Sequence, residues 1–157
     1  MATILNILHT VEFYFPHIGG AETVVQKVSE ELVRRGHRVT VATTRLKERD
    51  FRELNGVTVD GFDVEGSFGR GFRGSEVVRY MEYVTSHPCD VMMNYAAQQW
   101  ATDLSFRSLA HTGNSRAAVI APCGYSAITE EFNIRWPEFA RYFNQILPAV
   151  LQRYDAA

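Results

Sequence analysis

Phe15-Pro16-His17-Ile18-Gly19-Gly20-Ala21-Glu22 decides the reading of this chain. An apolar run over 4–11 precedes it and reads as a strand. An amphipathic run over 22–35 follows it and reads as a helix, with Val24, Val25, Val28, Leu32 and Val33 on one face. Two glycines at a strand-to-helix junction leave bare backbone where the first helical amides have no partner. Those amides and the helix dipole suit an anion, and the phosphates of a nucleotide-linked substrate are the natural candidate for Gly19 and Gly20. A tight turn needing positive φ is the other reading of the pair. The spacing is not G-x-G-x-x-G, so the dinucleotide fingerprint of a dehydrogenase is not met.

Outward from that junction, short apolar runs alternate with helical ones. Gly36 sits where a left-handed C-cap belongs, and 38–44 (RVTVATT) is β-branched and short, a second strand. Residues 47–53 are charged and expected to be exposed, and 57–62 (VTVDGF) is a third strand. The glycine-rich stretch 66–74 reads as a loop, and Ser75 as the cap of a helix over 76–85 with Val77, Val78, Met81 and Val84 inward. Strands four and five fall at 90–94 and 117–121, with a helix over 100–110 between them. Residues 125–136 are mixed. A last helix opens at Pro137, and Pro148 is expected to kink or split it. Strands separated by helices imply a single α/β domain, a Rossmann-like three-layer α/β/α arrangement around a mainly parallel sheet.

The bulk composition narrows the function. A chain of 157 residues, 46% hydrophobic and 22% charged, can bury one full core. Sixteen basic against eighteen acidic residues argue against a nucleic-acid binder. Cys89 and Cys123 form no metal-binding cluster, so no metal site is expected and a reducing compartment fits. No run approaches the roughly 20 apolar residues of a membrane span, and the first ten residues lack a basic leader region. The cytoplasm is the expected location.

Taken together, Phe15, Pro16, Gly19, Gly20, Glu22, and then Arg35, Gly36, His37, Val39 and Val41 resemble the N-terminal domain of family 4 glycosyltransferases of the GT-B fold. The likeness is strongest over 7–44 and looser beyond. The resemblance implies one half of a two-domain enzyme that moves a sugar from a nucleotide-sugar to an acceptor, usually with retention and without a metal. On that basis 1–157 is the acceptor-side domain, its donor-binding partner domain is absent from the sequence, and the chain alone is expected to be inactive. The partners implied are a nucleotide-sugar, a sugar or lipid-linked acceptor, and the second domain. No organic cofactor is implied, and peripheral attachment to the inner face of a membrane fits a lipid-linked acceptor. Many family members carry a histidine after strand five that contacts the donor sugar. Here the stretch is Pro122-Cys123-Gly124, and a cysteine cannot supply the same hydrogen bonds.

Position at strand ends adds further candidates. Loops at the carboxyl ends of parallel strands line the ligand crevice, which singles out Asn94 and Gln98 after strand four and Cys123, Gly124 and Tyr125 after strand five. His17 and Glu22 flank the glycine pair as candidate acceptor contacts, although Glu22 in a first helical turn also serves the dipole. Trp100 reads as core, and His9 as a buried imidazole. Arg70 and Arg73 could meet an anionic acceptor. No catalytic residue is fixed by sequence. A non-catalytic binding module, or a small phosphate-binding enzyme on the same fold, remains an open reading.

Overall fold

The computed structural model describes residues 3–109, 116–124 and 137–157. The strands are β1 (Asn6–Thr10), β2 (Arg38–Thr44), β3 (Glu53–Leu54), β4 (Val57–Phe62), β5 (Glu65–Ser67), β6 (Gly71–Arg73), β7 (Val91–Tyr95) and β8 (Ala117–Ala121). The helices are α1 (Gly20–Arg34), α2 (Val77–Ser86), α3 (Trp100–Asp103), α4 (Phe106–Leu109), α5 (Pro137–Arg141) and α6 (Leu147–Leu151), with a π-helical stretch, Tyr142–Ile146, between the last two.

Six strands form one sheet in the order β3-β4-β2-β1-β7-β8. Only β3, on the edge, runs antiparallel to its neighbour. Alternation along each strand sends side chains to opposite faces. Ile7, Val39, Val41, Val57 and Val59 pack under Val25 of α1, whereas Leu8, Ala42, Phe62 and Met92 pack under Tyr80 and Val84 of α2 and Trp100 of α3. The result is the Rossmann-like α/β sandwich that the alternating pattern implies. From β1 the chain first builds outward through β2 and β4, then returns to the other side of β1 for β7 and β8. The strand order therefore reverses between β1 and β7, which opens a crevice at their carboxyl ends.

Several local expectations change. The 66–74 stretch is a β5–β6 hairpin, because Gly66 and Gly71 supply the left-handed backbone that opposed strands need there. Ser75 does not cap α2; its hydroxyl donates to Asp63 instead, and Glu76 holds the cap position. Val24 and Val78 face solvent, while Ser29 and Tyr80 take the buried positions beside them. The 100–110 helix breaks into α3 and α4, where Ser105 and Ser108 hydroxyls donate to the carbonyls of Thr102 and Ser105 and compete with the helical ladder. Phe51 and Leu54, in and just beyond the segment expected to be exposed, pack against the core. Pro148 does not split the last helix. Leu147 N–H donates to Tyr142 O, so a widened π turn just before the proline absorbs its missing donor. The C-cap at Gly36 (φ 94°) is as expected, with Gly36 and His37 amides on Val33 and Leu32 carbonyls.

Candidate functional site

The crevice between β1 and β7 is occupied at its mouth by a cleft of about 480 Å³, lined by Ala21 at the start of α1, Gln98 and Gln99 after β7, and Cys123 and Gly124 after β8. Its backbone is strained. Ala96, Gln98 and Cys123 have φ of 60°, 66° and 56°, a conformation that disfavours any side chain by about 1–2 kcal/mol. The strain is held by hydrogen bonds that prolong the sheet past its strands, from Ala96 N–H to Ala121 O (2.9 Å) and from Ala97 N–H to Pro122 O (3.1 Å). The Thr102 hydroxyl reaches back to Ala96 O at 2.7 Å. Strain held in place in this way clusters at ligand and active sites in proteins generally.

The glycine pair borders the same cleft. Gly19 is extended (φ −158°, ψ 180°) and Gly20 opens α1, so neither residue needs the left-handed conformation of the turn reading. Thr23 donates through both its amide (3.1 Å) and its hydroxyl (2.7 Å) to Gly19 O, closing the first turn. The Gly19, Gly20 and Ala21 amides find no acceptor among the described residues. A Cβ on Gly19 would collide with the Glu22 carboxylate, whereas one on Gly20 would meet nothing. Glu22, third in the helix, thus folds back over the N-cap without bonding its amide. The same carboxylate lies 3.5 Å from His17 Nδ1, and the His17 ring stacks on Phe13 at 4.5 Å.

Of the residues singled out by sequence, the fold brings Gln98, Cys123 and Gly124 together in the cleft and sets Gly19, Gly20, His17 and Glu22 beside it. Gln98 also hydrogen-bonds Asp103 through its backbone. The exposed Cys123 thiol donates to Ala121 O at 3.4 Å, and the residue is not in a disulfide. Asn94 is a correction. It is fully buried, donating to Thr10 Oγ1 (2.6 Å) and accepting from the Tyr154 hydroxyl (2.7 Å), so its amide never reaches the cleft. Tyr125 lies outside the described residues. Trp100 and His9 are buried as expected. Burial pushes the His9 imidazole down to about 4, and its Nδ1 sits 2.8 Å from Ser29 Oγ. Arg73 is spent on Glu65 at 2.8 Å.

Two carboxylates near the cleft escaped the sequence reading. Glu12 interrupts the apolar run of Val11, Phe13 and Tyr14 just past β1. Its carbonyl accepts from Thr44 N–H (2.9 Å) and Thr43 Oγ1 (3.1 Å), which fixes the residue at the rim. Its half-buried carboxylate is raised above the ordinary range, first by burial and then by Glu22, against the opposing charges of Arg70 and His17. Asp103 is buried deeper, and burial pushes its carboxyl up to about 6. It accepts from Phe68 N–H of the hairpin turn (3.1 Å) and from the Tyr142 hydroxyl (2.9 Å), tying hairpin, cleft loop and C-terminal helix together. A lone charge in an apolar stretch was the available signal for Glu12; the donors around Asp103 come from distant segments and leave no local trace. Among the described residues no three His, Cys, Asp or Glu side chains are placed to hold a metal ion.

A parallel α/β domain whose first helix start and strained loops meet at its topological switch point has the architecture in which ligands bind outside the carboxyl ends of the strands. Residues 18–156 match the family model described as Glycosyltransferase Family 4, and the chain belongs to that family. Among solved structures it is similar to an alpha-glucosyltransferase in complex with UDP-glucose and DNA containing an abasic site, at 12% identity and a TM-score of 0.47. That likeness covers 98% of this chain and 35% of the other, so the chain spans about a third of the length of the structure it matches. No curated protein matches the chain.

Proposed function

We propose that this chain is the acceptor-side lobe of a retaining glycosyltransferase that uses a nucleotide-sugar donor and no organic cofactor or metal, and that catalysis requires a second, donor-binding lobe. The observation that carries the reading is the row of unpartnered amides at Gly19, Gly20 and Ala21, at the edge of a strained cleft. As the bond between the sugar and the leaving diphosphate breaks, negative charge grows on the phosphate oxygens. Preorganised amides and a helix dipole stabilise that charge more in the transition state than in the ground state. The Glu22 carboxylate beside these amides is held by His17 at 3.5 Å. Cations of the second lobe would complete the clamp. A cytoplasmic location fits this reading.

The test exploits the N-terminal position of Gly20. Proline is favoured at the first helical residue, and Gly19 already has the extended backbone that a residue before proline prefers. Gly20→Pro therefore deletes one amide while leaving the helix intact. In an NMR titration with pyrophosphate or UDP-glucose, the Gly19, Gly20 and Ala21 amide resonances of the wild type are expected to move. Affinity should be weak, and weaker by about tenfold in Gly20→Pro. Titration without movement of these resonances overturns the reading, as does sugar transfer by the chain alone.

A further inference from the structure

A second cavity, of about 220 Å³, lies at the outer edge of β4, two strands away from the crevice. β3 pairs with β4 only at Val57 and Thr58, so that edge is open further along. Four guanidinium groups line the cavity: Arg45 just past β2, Arg49 and Arg52 in the segment before β3, and Arg79 on α2. Two carboxylates stand against them. Glu76 takes both Arg45 (2.6 Å) and Arg79, while Asp60 accepts from the Tyr83 hydroxyl (2.6 Å). Glu48, Asp50 and Glu53, close by in sequence, are exposed and do not line the cavity. The lining therefore carries more positive charge than its own acids neutralise.

Several donors of this lining are unclaimed. Arg52 makes no side-chain hydrogen bond or ion pair with any described residue. Arg49 is half-buried, where a charge calls for a counter-ion, yet it gives three of its five N–H bonds to the neutral carbonyls of Phe15, Thr44 and Tyr14 and forms no ion pair. Val59 N–H turns outward to Arg52 O (2.9 Å), so alternation along β4 turns Gly61 N–H outward as well, and it finds no acceptor among the described residues. A carboxylate would bring one charge and two oxygens to these donors. A phosphate monoester brings nearly two charges and three oxygens, which the planar forks of neighbouring arginines match in pairs.

We infer that this cavity is a second ligand site, which binds a phosphate monoester among Arg49, Arg52 and Arg79 with the Gly61 amide as a further donor. It shares no lining residue with the crevice, and it stands or falls independently of the glycosyltransferase reading. Glu76 holds Arg45 and Arg79 in place before the ligand arrives. Through Arg49 the site adjoins the loop ahead of the glycine pair, because the same guanidinium holds the Tyr14 and Phe15 carbonyls. The monoester can be carried by a soluble metabolite or by a lipid headgroup, and the test separates these sources.

The experiment is an NMR titration of the chain with glycerol 3-phosphate at fixed ionic strength, with glycerol as the blank. Alongside it, the chain is sedimented with phosphatidylcholine vesicles with and without phosphatidic acid. The Gly61 amide and the Arg52 Nε–H resonances are expected to move together with glycerol 3-phosphate and to ignore glycerol. Arg52→Ala, at an exposed and unpaired side chain, should weaken binding about tenfold and leave the melting temperature unchanged. Arg79→Ala should weaken it severalfold. Capture by phosphatidic acid vesicles alone, with the same dependence on Arg52, assigns the site to a lipid-borne phosphate. Binding of neither source, binding that Arg52→Ala leaves intact, or movement confined to the Gly19, Gly20 and Ala21 amides overturns the inference.

Discussion

The two edges of the central sheet both carry grooves, of about 480 Å³ at the carboxyl edge and about 310 Å³ at the amino edge, yet they treat their polar groups in opposite ways. At the amino edge the groups satisfy one another. Asn6 donates through amide (2.7 Å) and side chain (3.2 Å) to Asp90 Oδ2, Asp90 N–H returns a bond to Asn6 O (2.8 Å), and Leu5 N–H meets His37 Nδ1 at 3.2 Å. Left-handed backbone at this edge falls on Gly36, a helix C-cap, and on Asn55 (φ 52°) and Gly56 (φ 81°), the pair that a two-residue hairpin turn favours. At the carboxyl edge it falls on Ala96, Gln98 and Cys123, where a side chain pays for it, as well as on Gly124, and among the described residues the Gly19, Gly20 and Ala21 amides beside them find no acceptor. The amino edge satisfies its own polar groups, whereas the carboxyl edge carries strain and open amides, as the proposed ligand site requires.

The largest expected effect tests the one place where the carboxyl edge is closed. Asp103→Ala strips an acceptor from Phe68 N–H, the Tyr142 hydroxyl and the Gln98 backbone, and should cost about 3 kcal/mol in urea unfolding, as a buried network does. Its pH dependence has a definite sign. The folded carboxyl is raised from 3.8 to about 6, so the native state binds the proton more tightly than the unfolded chain. The stability this group contributes is full below its unfolded value and is lost as pH rises through the folded one. Measured against Asp103→Asn, the wild type should lose about 2 kcal/mol between pH 4 and pH 7. A flat difference would show that the knot is solvated.

A smaller effect should separate the edges cleanly. Asp90→Ala breaks the amino-edge pair and should cost about 1 kcal/mol, with pyrophosphate binding unmoved. The smallest runs the other way. Cys123→Gly relieves a left-handed cysteine and should stabilise the chain by about 1 kcal/mol, whereas Asn55→Gly should gain nothing. Thermal denaturation of the two variants side by side decides whether the strain at the carboxyl edge is real.

The parallel sheet could be read from sequence because β1, β2, β4, β7 and β8 are runs of apolar or β-branched residues set between helical segments. The glycine-rich hairpin could not, since its pairing comes from backbone freedom at Gly66 and Gly71 and carries no apolar alternation. Of the site, the glycine pair, His17 and Glu22 were legible as a local motif, as were Gln98, Cys123 and Gly124 from their positions after strands. Asn94 misled because a polar residue at a strand end looks the same whether it faces a cleft or, as here, locks Thr10 to Tyr154. Asp103 takes its partners from Phe68 and Tyr142, 35 and 39 positions away, which no local pattern encodes.

Arg49 sends Nε to Phe15 O (2.9 Å), Nη1 to Thr44 O (2.8 Å) and Nη2 to Tyr14 O (3.1 Å), so one planar guanidinium clasps the segment leading to His17 against the end of β2. An ammonium, whose donors radiate from a single point, could not span those carbonyls. The loop before the glycine pair is thereby ordered in advance, and an incoming substrate need not supply the entropy of fixing it.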